Sequence, residues 1–343
     1  MSTSLLNGRA AQGSADGPAG PTRPARRPTG LLWLALRQSR SAIRVTAALL
    51  VLATVVLLAI HFVVQDRAGV MEQRGCLDSS FWGEQQCWPL IQRIDLAARA
   101  FTDLVQPAVF ALPVVLGMFL GGPLLAQEYE RGTIRLVLAQ SAAPRRWLAA
   151  RLAVAGLVVL PAVGVLSLLT TWVWWTDVIH GPAGFDPPFQ TSTYPALGLA
   201  PFAWSLFGLA LGVLVGELVR RTVTAVLVSG VLMVIASVVM RLVRPYLWPV
   251  VDAVVPYDES MGGFMQPTNA WLVERGIILP DGTRAPDGYC VASYECDEAV
   301  GAWGHYHPVS HFVPIQLVET GILVVLAVIA LAVVFRRIAR ASG

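Results

Sequence analysis

The sequence predicts an all-α integral membrane protein with about six transmembrane helices, and its composition and its long apolar segments lead to that class. Hydrophobic residues make up 55% of the 343 residues and charged residues only 14%, whereas soluble domains are about one quarter charged. So few charges cannot shield that much apolar surface from water, but lipid accommodates it. Apolar stretches about as long as a bilayer core is thick, each with at most one charged residue, recur along the chain, and each predicts a span.

Two segments precede the first predicted span. Residues 1–30 are rich in Gly, Ala, Pro, Ser and Arg, a composition that cannot offset the entropy of ordering, and they predict a disordered cytoplasmic tail. Residues 31–44 place Trp and Leu beside Arg37, Arg40 and Arg44 at helical spacing. That pattern predicts an amphipathic helix in the membrane interface, and a cytosolic extension of the first span is the alternative.

The predicted spans are residues 45–64, 104–126, 148–175, 196–219, 222–239 and 312–335. At about 1.5 Å per residue, the first crosses about 30 Å of hydrocarbon. The third ends in tryptophans typical of the interfacial aromatic belt. Spans one to five occupy residues 45–243, and residues 336–343 form a short tail after the sixth span.

Arginine placement predicts the orientation of these spans, because the chain has no lysine. With the N-terminus inside, 17 arginines fall in inside segments and 8 in outside segments, as the positive-inside rule requires. We therefore expect a multi-pass protein of the cell membrane with both termini cytoplasmic. Residues 65–103 and 244–311 are then extracellular, the first as a loop and the second as a small domain.

Each exterior piece contains a recognisable local pattern. In residues 65–103, apolar side chains at helical spacing predict an amphipathic helix leading into the second span. In residues 244–311, the pair Asp281-Gly282 favours a hairpin turn between short extended segments. The histidines His305, His307 and His311 also fall in this region, but their spacing matches no zinc motif, so we expect no metal site.

Four cysteines lie in these exterior pieces as two close pairs. Cys76 and Cys87 form one pair, and Cys290 and Cys296 form the other. Outside the cell thiols oxidise, and short loops cost little entropy to close, so both pairs predict disulfides. Spacing alone does not fix connectivity, and a Cys76–Cys290 bond remains open.

The connection between spans two and three is the most informative cytoplasmic segment. Residues 127–146 carry four charged side chains within about two helical turns: Glu128, Glu130, Arg131 and Arg135. Gly132 can end a helix and Thr133 can cap the next one. We interpret the segment as a short helix with charges available to a soluble partner, against the alternative of an ordinary solvated loop.

This segment resembles the Glu-x-Glu-x-Gly-Thr segment of type-2 ABC transporter permeases, the membrane subunits of six-span exporters. The stretch from Ser141 to Trp147 is similar to the element that begins the third span in that family. The N-terminal segment with Trp33 and Arg37-Gln38 is similar to its interfacial connecting helix. The resemblance covers roughly residues 31–340.

The last span resembles an actinobacterial form of the family, from Tyr306 to Gly321. His311 and Val313 depart from that form, where Arg and Trp are expected. The resemblance implies a permease subunit without its own ATPase site, and the sequence agrees, because a P-loop needs a lysine. ATP and Mg would be bound by a separate ATPase subunit in two copies.

The resemblance also implies an assembly and a task. Two permeases, as a homodimer or a mixed pair, would join two ATPases in the lipid membrane. Residues 127–146 would couple ATPase motion to the spans through Glu128, Glu130, Arg131, Gly132, Thr133 and Arg135. We expect export of an unidentified hydrophobic or amphipathic substrate, and the small net charge of +3 gives no reason to expect nucleic acid.

Glu319 is an intramembrane carboxylate in the sixth span. Facing lipid, it would cost about 2–3 kcal/mol, so it should face the bundle interior, a cavity or a partner. One interpretation places Glu319 and Gln316 on the translocation path or at a gate. The other gives Glu319 a buried hydrogen bond to Gln316 or to a neighbouring helix.

Two other classes of function remain as alternatives. The exterior pieces would suit a sensor or immunity membrane protein that binds an extracellular ligand. An intramembrane lipid-modifying enzyme would need clustered polar residues near an interface. The sequence shows no hydrolase signature and offers no catalytic residue, so we expect a transport subunit rather than an enzyme.

Overall fold

In the part of the chain that the structure describes, six long helices form a bundle, and a small sheet precedes the last of them. We analysed a computed structural model that describes residues 40–74, 76, 87–133, 144–175, 186–257, 263–286 and 299–341. The helices are α1 Arg40–Gln73, α2 Trp88–Glu130, α3 Pro144–Trp175, α4 Ala200–Val219, α5 Thr222–Val243 and α6 Phe312–Ala341. All six are long and apolar enough to cross a membrane, which confirms the predicted class and the number of spans.

Several helices extend beyond the apolar segments that predicted them. Helix α1 continues from the first span to Gln73, and α6 continues to Ala341. Neither extension contains a proline, and a helix propagates into water while its backbone hydrogen bonds remain intact. Residues 40–44 of the predicted interfacial helix are the first residues of α1. The rest of that helix and the tail at 1–30 lie outside the described residues.

Helix α2 is the longest, because the amphipathic helix predicted before the second span is continuous with it. The segment Trp88–Ala100 buries Leu90 and Ile94 against α1, which confirms that prediction. Two π-helical turns, Phe101–Val105 and Gly117–Gly121, interrupt the α-helical pattern further on. Extra residues in a helical turn change which side chains face the bundle, and such turns are frequent at functional sites.

The predicted disulfide between Cys76 and Cys87 is present. It joins the chain just after α1 to the residue that precedes α2, and both cysteines are buried beside Met71 and Leu90. The bond therefore holds the two helices together at this end of the bundle. Cys290 and Cys296 lie outside the described residues, so their pairing stays a prediction.

Helix α4 is the most buried of the six and packs against α2 through glycines. A Cβ atom at Gly117 would lie 2.8 Å from the carbonyl oxygen of Gly208, and one at Gly121 would lie 2.9 Å from the Cα of Gly212. The two backbones therefore touch without intervening side chains. Small residues four apart permit this approach between membrane helices.

A four-stranded antiparallel sheet separates α5 from α6. Its strands are β1 Val251–Pro256, β2 Trp271–Ile278, β3 Arg284–Pro286 and β4 Gly301–His307, in the order β1-β4-β2-β3. The hairpin predicted at Asp281-Gly282 connects β2 to β3, with Gly282 at a φ of 81°. The pairing of β1 with β4 was not predicted, because β4 lacks an alternating pattern. This pairing brings the end of α5 close to the start of α6.

Candidate functional site

Helix α2 ends in a cluster of polar contacts at the end of the bundle opposite the sheet. We call this cluster, formed by Glu128, Tyr129, Glu130 and their partners, the α2-terminus network. Glu128 forms an ion pair of 2.7 Å with Arg151 of α3. The hydroxyl of Thr133 donates a hydrogen bond of 2.5 Å to the other carboxylate oxygen of Glu128. Both oxygens of Glu128 are therefore engaged within the chain.

Glu130 contacts the first turn of α5. Its Oε2 accepts a hydrogen bond of 3.0 Å from the backbone N–H of Thr222, one of the amide groups that a helix leaves unpaired at its N-terminus. A carboxylate there also interacts favourably with the helix dipole. Glu130 is nevertheless exposed. Its side chain therefore joins α2 to α5 and is also accessible from outside the bundle.

Tyr129 links α2 to α4 and α6 through one buried carboxylate. Its hydroxyl donates a hydrogen bond of 2.7 Å to Oε2 of Glu217, which is only 2% exposed. The Nε atom of Arg337 in α6 lies 3.6 Å from the other oxygen of Glu217. The guanidinium of Arg220 lies 4.8 Å from the centre of the Tyr129 ring. The last turn of α2 is thus joined to α3, α4, α5 and α6 by side-chain contacts.

The other residues predicted for the coupling segment have different surroundings. Gly132, at a φ of 68°, follows the end of α2 as expected. Thr133 bonds back to Glu128, and its role as the cap of a following helix stays a prediction, because residues 134–143 lie outside the described residues. Arg131 is exposed and forms no ion pair with a described residue. Arg135 lies outside the described residues.

Tyr129, Glu217 and Arg337 belong to this network but were not predicted as site residues. Glu217 had a signal in the sequence, because it is the only acidic residue in the apolar segment 196–219. A carboxylate at that position needs a partner. Which partners it finds depends on how α2, α4 and α6 pack, and no local pattern encodes that.

Glu319 is buried near the sheet end of the bundle and holds Arg244. Their side chains form two hydrogen bonds, Nε to Oε2 at 2.9 Å and Nη2 to Oε1 at 3.0 Å. The indole N–H of Trp204 donates a further bond of 2.8 Å to Oε1. Glu319 is 1% exposed and Arg244 8%. The guanidinium also lies 3.9 Å from the centre of the Tyr194 ring.

Gln316, predicted together with Glu319, binds a different element. Its Nε2 donates to the carbonyl of Leu197 and its Oε1 accepts from the N–H of Leu199, both at 2.9 Å. These bonds secure the turn that leads into α4. The buried hydrogen bond considered for Glu319 is therefore present, but its partners are Trp204 and Arg244, on neighbouring elements, and not Gln316.

A cavity of about 420 Å³ lies between α2 and α5 beside this ion pair. Both Trp204 and Arg244 contribute to its lining, so Glu319 lies behind the cavity wall and does not line the cavity. If a ligand enters the bundle at this level, it meets Arg244 before it meets Glu319.

Comparison of the chain with known protein families gives a match. The family model described as ABC-2 membrane transporter related matches residues 47–244, which is more than half of the chain. The protein belongs to this family. No curated protein and no solved structure matches the chain.

Membership of the ABC-2 family makes the chain a membrane subunit of an ABC transporter, a class that works with an ATP-binding subunit and usually has no ATPase site of its own. The matched region covers most of α1 and all of α2 to α5, and it contains Glu128, Glu130 and Glu217. It ends at Arg244. The partner of that arginine, Glu319, lies beyond the sheet in α6.

Proposed function

We propose that this ABC-2 membrane subunit is the permease of an ATP-driven exporter in the cell membrane, with both termini in the cytoplasm. Two copies, as a homodimer or a mixed pair, would join two separate ATPase subunits that bind ATP and Mg. Movement of residues 127–146 would transmit the work of the ATPases to the spans. The substrate class expected is a hydrophobic or amphipathic compound that leaves the cell.

The observation that carries this proposal is the α2-terminus network in a chain of this family. An exporter without its own nucleotide site must receive work across a protein interface, so it needs an accessible element firmly joined to several helices. The last turn of α2 meets both requirements. Glu130 and Arg131 are exposed, while Tyr129 and Glu128 contact α4 and α3.

The network also explains how a displacement at one point could reach the whole bundle. Hydrogen bonds to charged groups contribute about 1.5–3 kcal/mol each, so the contacts of Glu128 and Glu217 resist separation. A push on the end of α2 would therefore move α3, α4 and α6 with it. The glycine contacts between α2 and α4 add a direct backbone connection further along.

The test changes Arg131, because its replacement breaks no ion pair with a described residue. The tagged full-length chain is purified from native membranes, and the soluble chains that co-purify are identified. We expect an ATP-binding subunit, and we expect Arg131→Glu to reduce both its recovery and the ATPase activity of the complex. Reversing a charge at an interface typically costs several kcal/mol.

The matched control is Arg340→Glu, which changes an exposed arginine at the end of α6 on the same side of the bundle. We expect that variant to retain the ATPase subunit. Recovery of no ATP-binding subunit with the wild-type chain would contradict the proposed function itself. Equal recovery with both variants would contradict only the coupling role of this segment.

A further inference from the structure

The cavity between α2 and α5 has the size and the walls of a ligand site. Its volume of about 420 Å³ falls in the usual range of about 300–1,000 Å³ for small-molecule sites. Phe110 and Val114 of α2 face Met233 and Val238 of α5 across it. Because these walls are apolar, the cavity favours the hydrocarbon part of a ligand.

The lining of the cavity also includes polar residues and two arginines. The segment before α4 contributes Gln190, Thr191 and Ser192 to the lining. Arg241 and Arg244 come from the last turn of α5 and the turn that follows it. Amide, hydroxyl and guanidinium groups therefore line one cavity and can donate hydrogen bonds to the same ligand.

Only one of the two cations is available to a ligand. Arg244 is neutralised by Glu319 through two hydrogen bonds and is covered by Tyr194. Arg241 is exposed, and it forms no ion pair or hydrogen bond with any residue that the structure describes. Among the described residues that line the cavity, none is acidic. The site therefore carries one uncompensated positive charge beside an apolar chamber.

The cavity is bordered by side chains that a bilayer would cover. Phe110 and Val238 are both large apolar residues with about half of their surface exposed, and they belong to two membrane-spanning helices. A ligand that reaches the cavity past these residues comes from the hydrocarbon phase. This route selects a molecule that is already dissolved in the membrane.

We propose that this cavity binds one anionic phospholipid. Arg241 pairs with the headgroup phosphate, the polar side chains beside it donate to the headgroup oxygens, and an acyl chain occupies the space between α2 and α5. The binding depends on this chain alone and not on an ATPase subunit. It is therefore tested separately from the transport function proposed above.

The experiment is native mass spectrometry of the full-length chain in detergent, with short-chain phosphatidylglycerol and phosphatidylcholine present at equal concentrations. We expect one phosphatidylglycerol per chain, favoured over phosphatidylcholine roughly tenfold, because both headgroups carry the phosphate but the choline of phosphatidylcholine adds a cation that Arg241 repels. Arg241→Gln should bring the ratio close to one. Arg93→Gln, which changes an exposed arginine outside the cavity, should leave it unchanged.

A second variant tests the apolar chamber. Val238→Trp replaces a small side chain that lines the cavity with a bulky indole ring. We expect this variant to bind both lipids at least several-fold more weakly. If that variant does not elute as a folded species, Ser237→Leu fills the same wall. Glycerol phosphate, which has the anion but no acyl chain, should not compete.

Three results would overturn the proposal. The first is equal binding of the two lipids to the wild-type chain. The second is the same loss of selectivity in Arg241→Gln and Arg93→Gln. The third is full competition by glycerol phosphate, which would make the cavity an anion site without a lipid role.

Discussion

Arg244 and Glu319 form a two-point ion pair, with N–O distances of 2.9 and 3.0 Å, between the turn that follows α5 and the interior of α6. Both side chains are buried, and Trp204 donates a third bond to the same carboxylate. The pair thus connects three elements at the level where the sheet joins the bundle. Its removal should affect the fold before it affects any transport step.

The first prediction compares the loss of one partner of this ion pair with the loss of both. Glu319→Leu leaves a buried guanidinium without its anion, and we expect a loss of about 3–5 kcal/mol in the free energy of unfolding. The double variant Glu319→Leu with Arg244→Leu should recover most of that loss, because apolar replacements of a buried pair are often tolerated. Unfolding of the purified chain in detergent measures both. A double variant no more stable than Glu319→Leu alone would contradict this account.

The second prediction concerns the contact between α2 and α4. A Cβ atom added at Gly212 would lie 2.8 Å from the Cα of Gly121 and 2.8 Å from the N of Gly122. Because both are backbone atoms, the helices must separate, and we expect Gly212→Ala to cost about 1–3 kcal/mol. Gly321→Ala is the matched control, since a Cβ there meets no atom within 4 Å. Equal melting temperatures for the two variants would mean that the helices are not in close contact.

The third prediction uses the buried His307 at the end of β4. Its Nε2 lies 3.0 Å from the carbonyl of Pro245 and its Nδ1 lies 3.2 Å from Nδ1 of His311, while Trp271 and Phe189 pack beside it. Burial lowers the pKa of His307 below its usual 6.5, the contact with Pro245 opposes this shift, and the charge of His311 adds to it. The unfolded chain therefore binds this proton more tightly than the folded one.

Stability should consequently fall as the pH drops from about 6.5 toward the lowered pKa of His307, and this contribution should be constant above 6.5. Thermal unfolding between about pH 5 and 8 measures the trend. His307→Gln should flatten it, whereas His305→Gln, at a partly exposed position in the same strand, should leave it in place. If the wild-type chain became more stable on acidification, the pH dependence would have the opposite sign, and a lowered pKa for His307 would be contradicted.

The six spans were predictable because each depends on a continuous apolar segment, and the amphipathic start of α2 was predictable from its helical spacing. The hairpin at Asp281-Gly282 followed from turn chemistry alone. The pairing of Arg244 with Glu319 was not predictable, because the residues are 75 positions apart and meet only in the folded bundle. The glycines at 208, 212 and 216 did carry a signal, since their spacing of four favours close helix contacts.

The α2-terminus network shows a subtler limit of prediction from sequence. Glu128 and Glu130 were expected to offer charge to a soluble partner, because both are hydrophilic residues beside an apolar span. Each also has a partner within the chain, Arg151 for Glu128 and the N–H of Thr222 for Glu130. Thr222 lies 92 positions from Glu130. Glu130 and Arg131 both remain exposed, and of the two side chains only that of Arg131 forms no ion pair or hydrogen bond with a described residue.

The last prediction isolates the bond between Glu130 and α5. Thr222 is the first residue of α5, where proline is well tolerated, and Arg221 before it is extended at φ −126° and ψ 125°, as a residue preceding proline prefers. Thr222→Pro therefore preserves the start of the helix and removes the N–H that Glu130 accepts. It also removes the hydroxyl that contacts Glu130, so Thr222→Ala, which retains the N–H, is the matched control.

If the end of α2 drives α5 through this bond, Thr222→Pro should lower the transport obtained per ATP hydrolysed by the complex. Its melting temperature should stay close to that of the wild-type chain, because a proline at this position strains nothing and lowers the entropy of the unfolded chain. Thr222→Ala should retain most of the coupling. A Thr222→Pro complex with unchanged transport per ATP would show that α5 receives its motion by another route, such as the direct packing of Ala126 of α2 against Ala225 of α5.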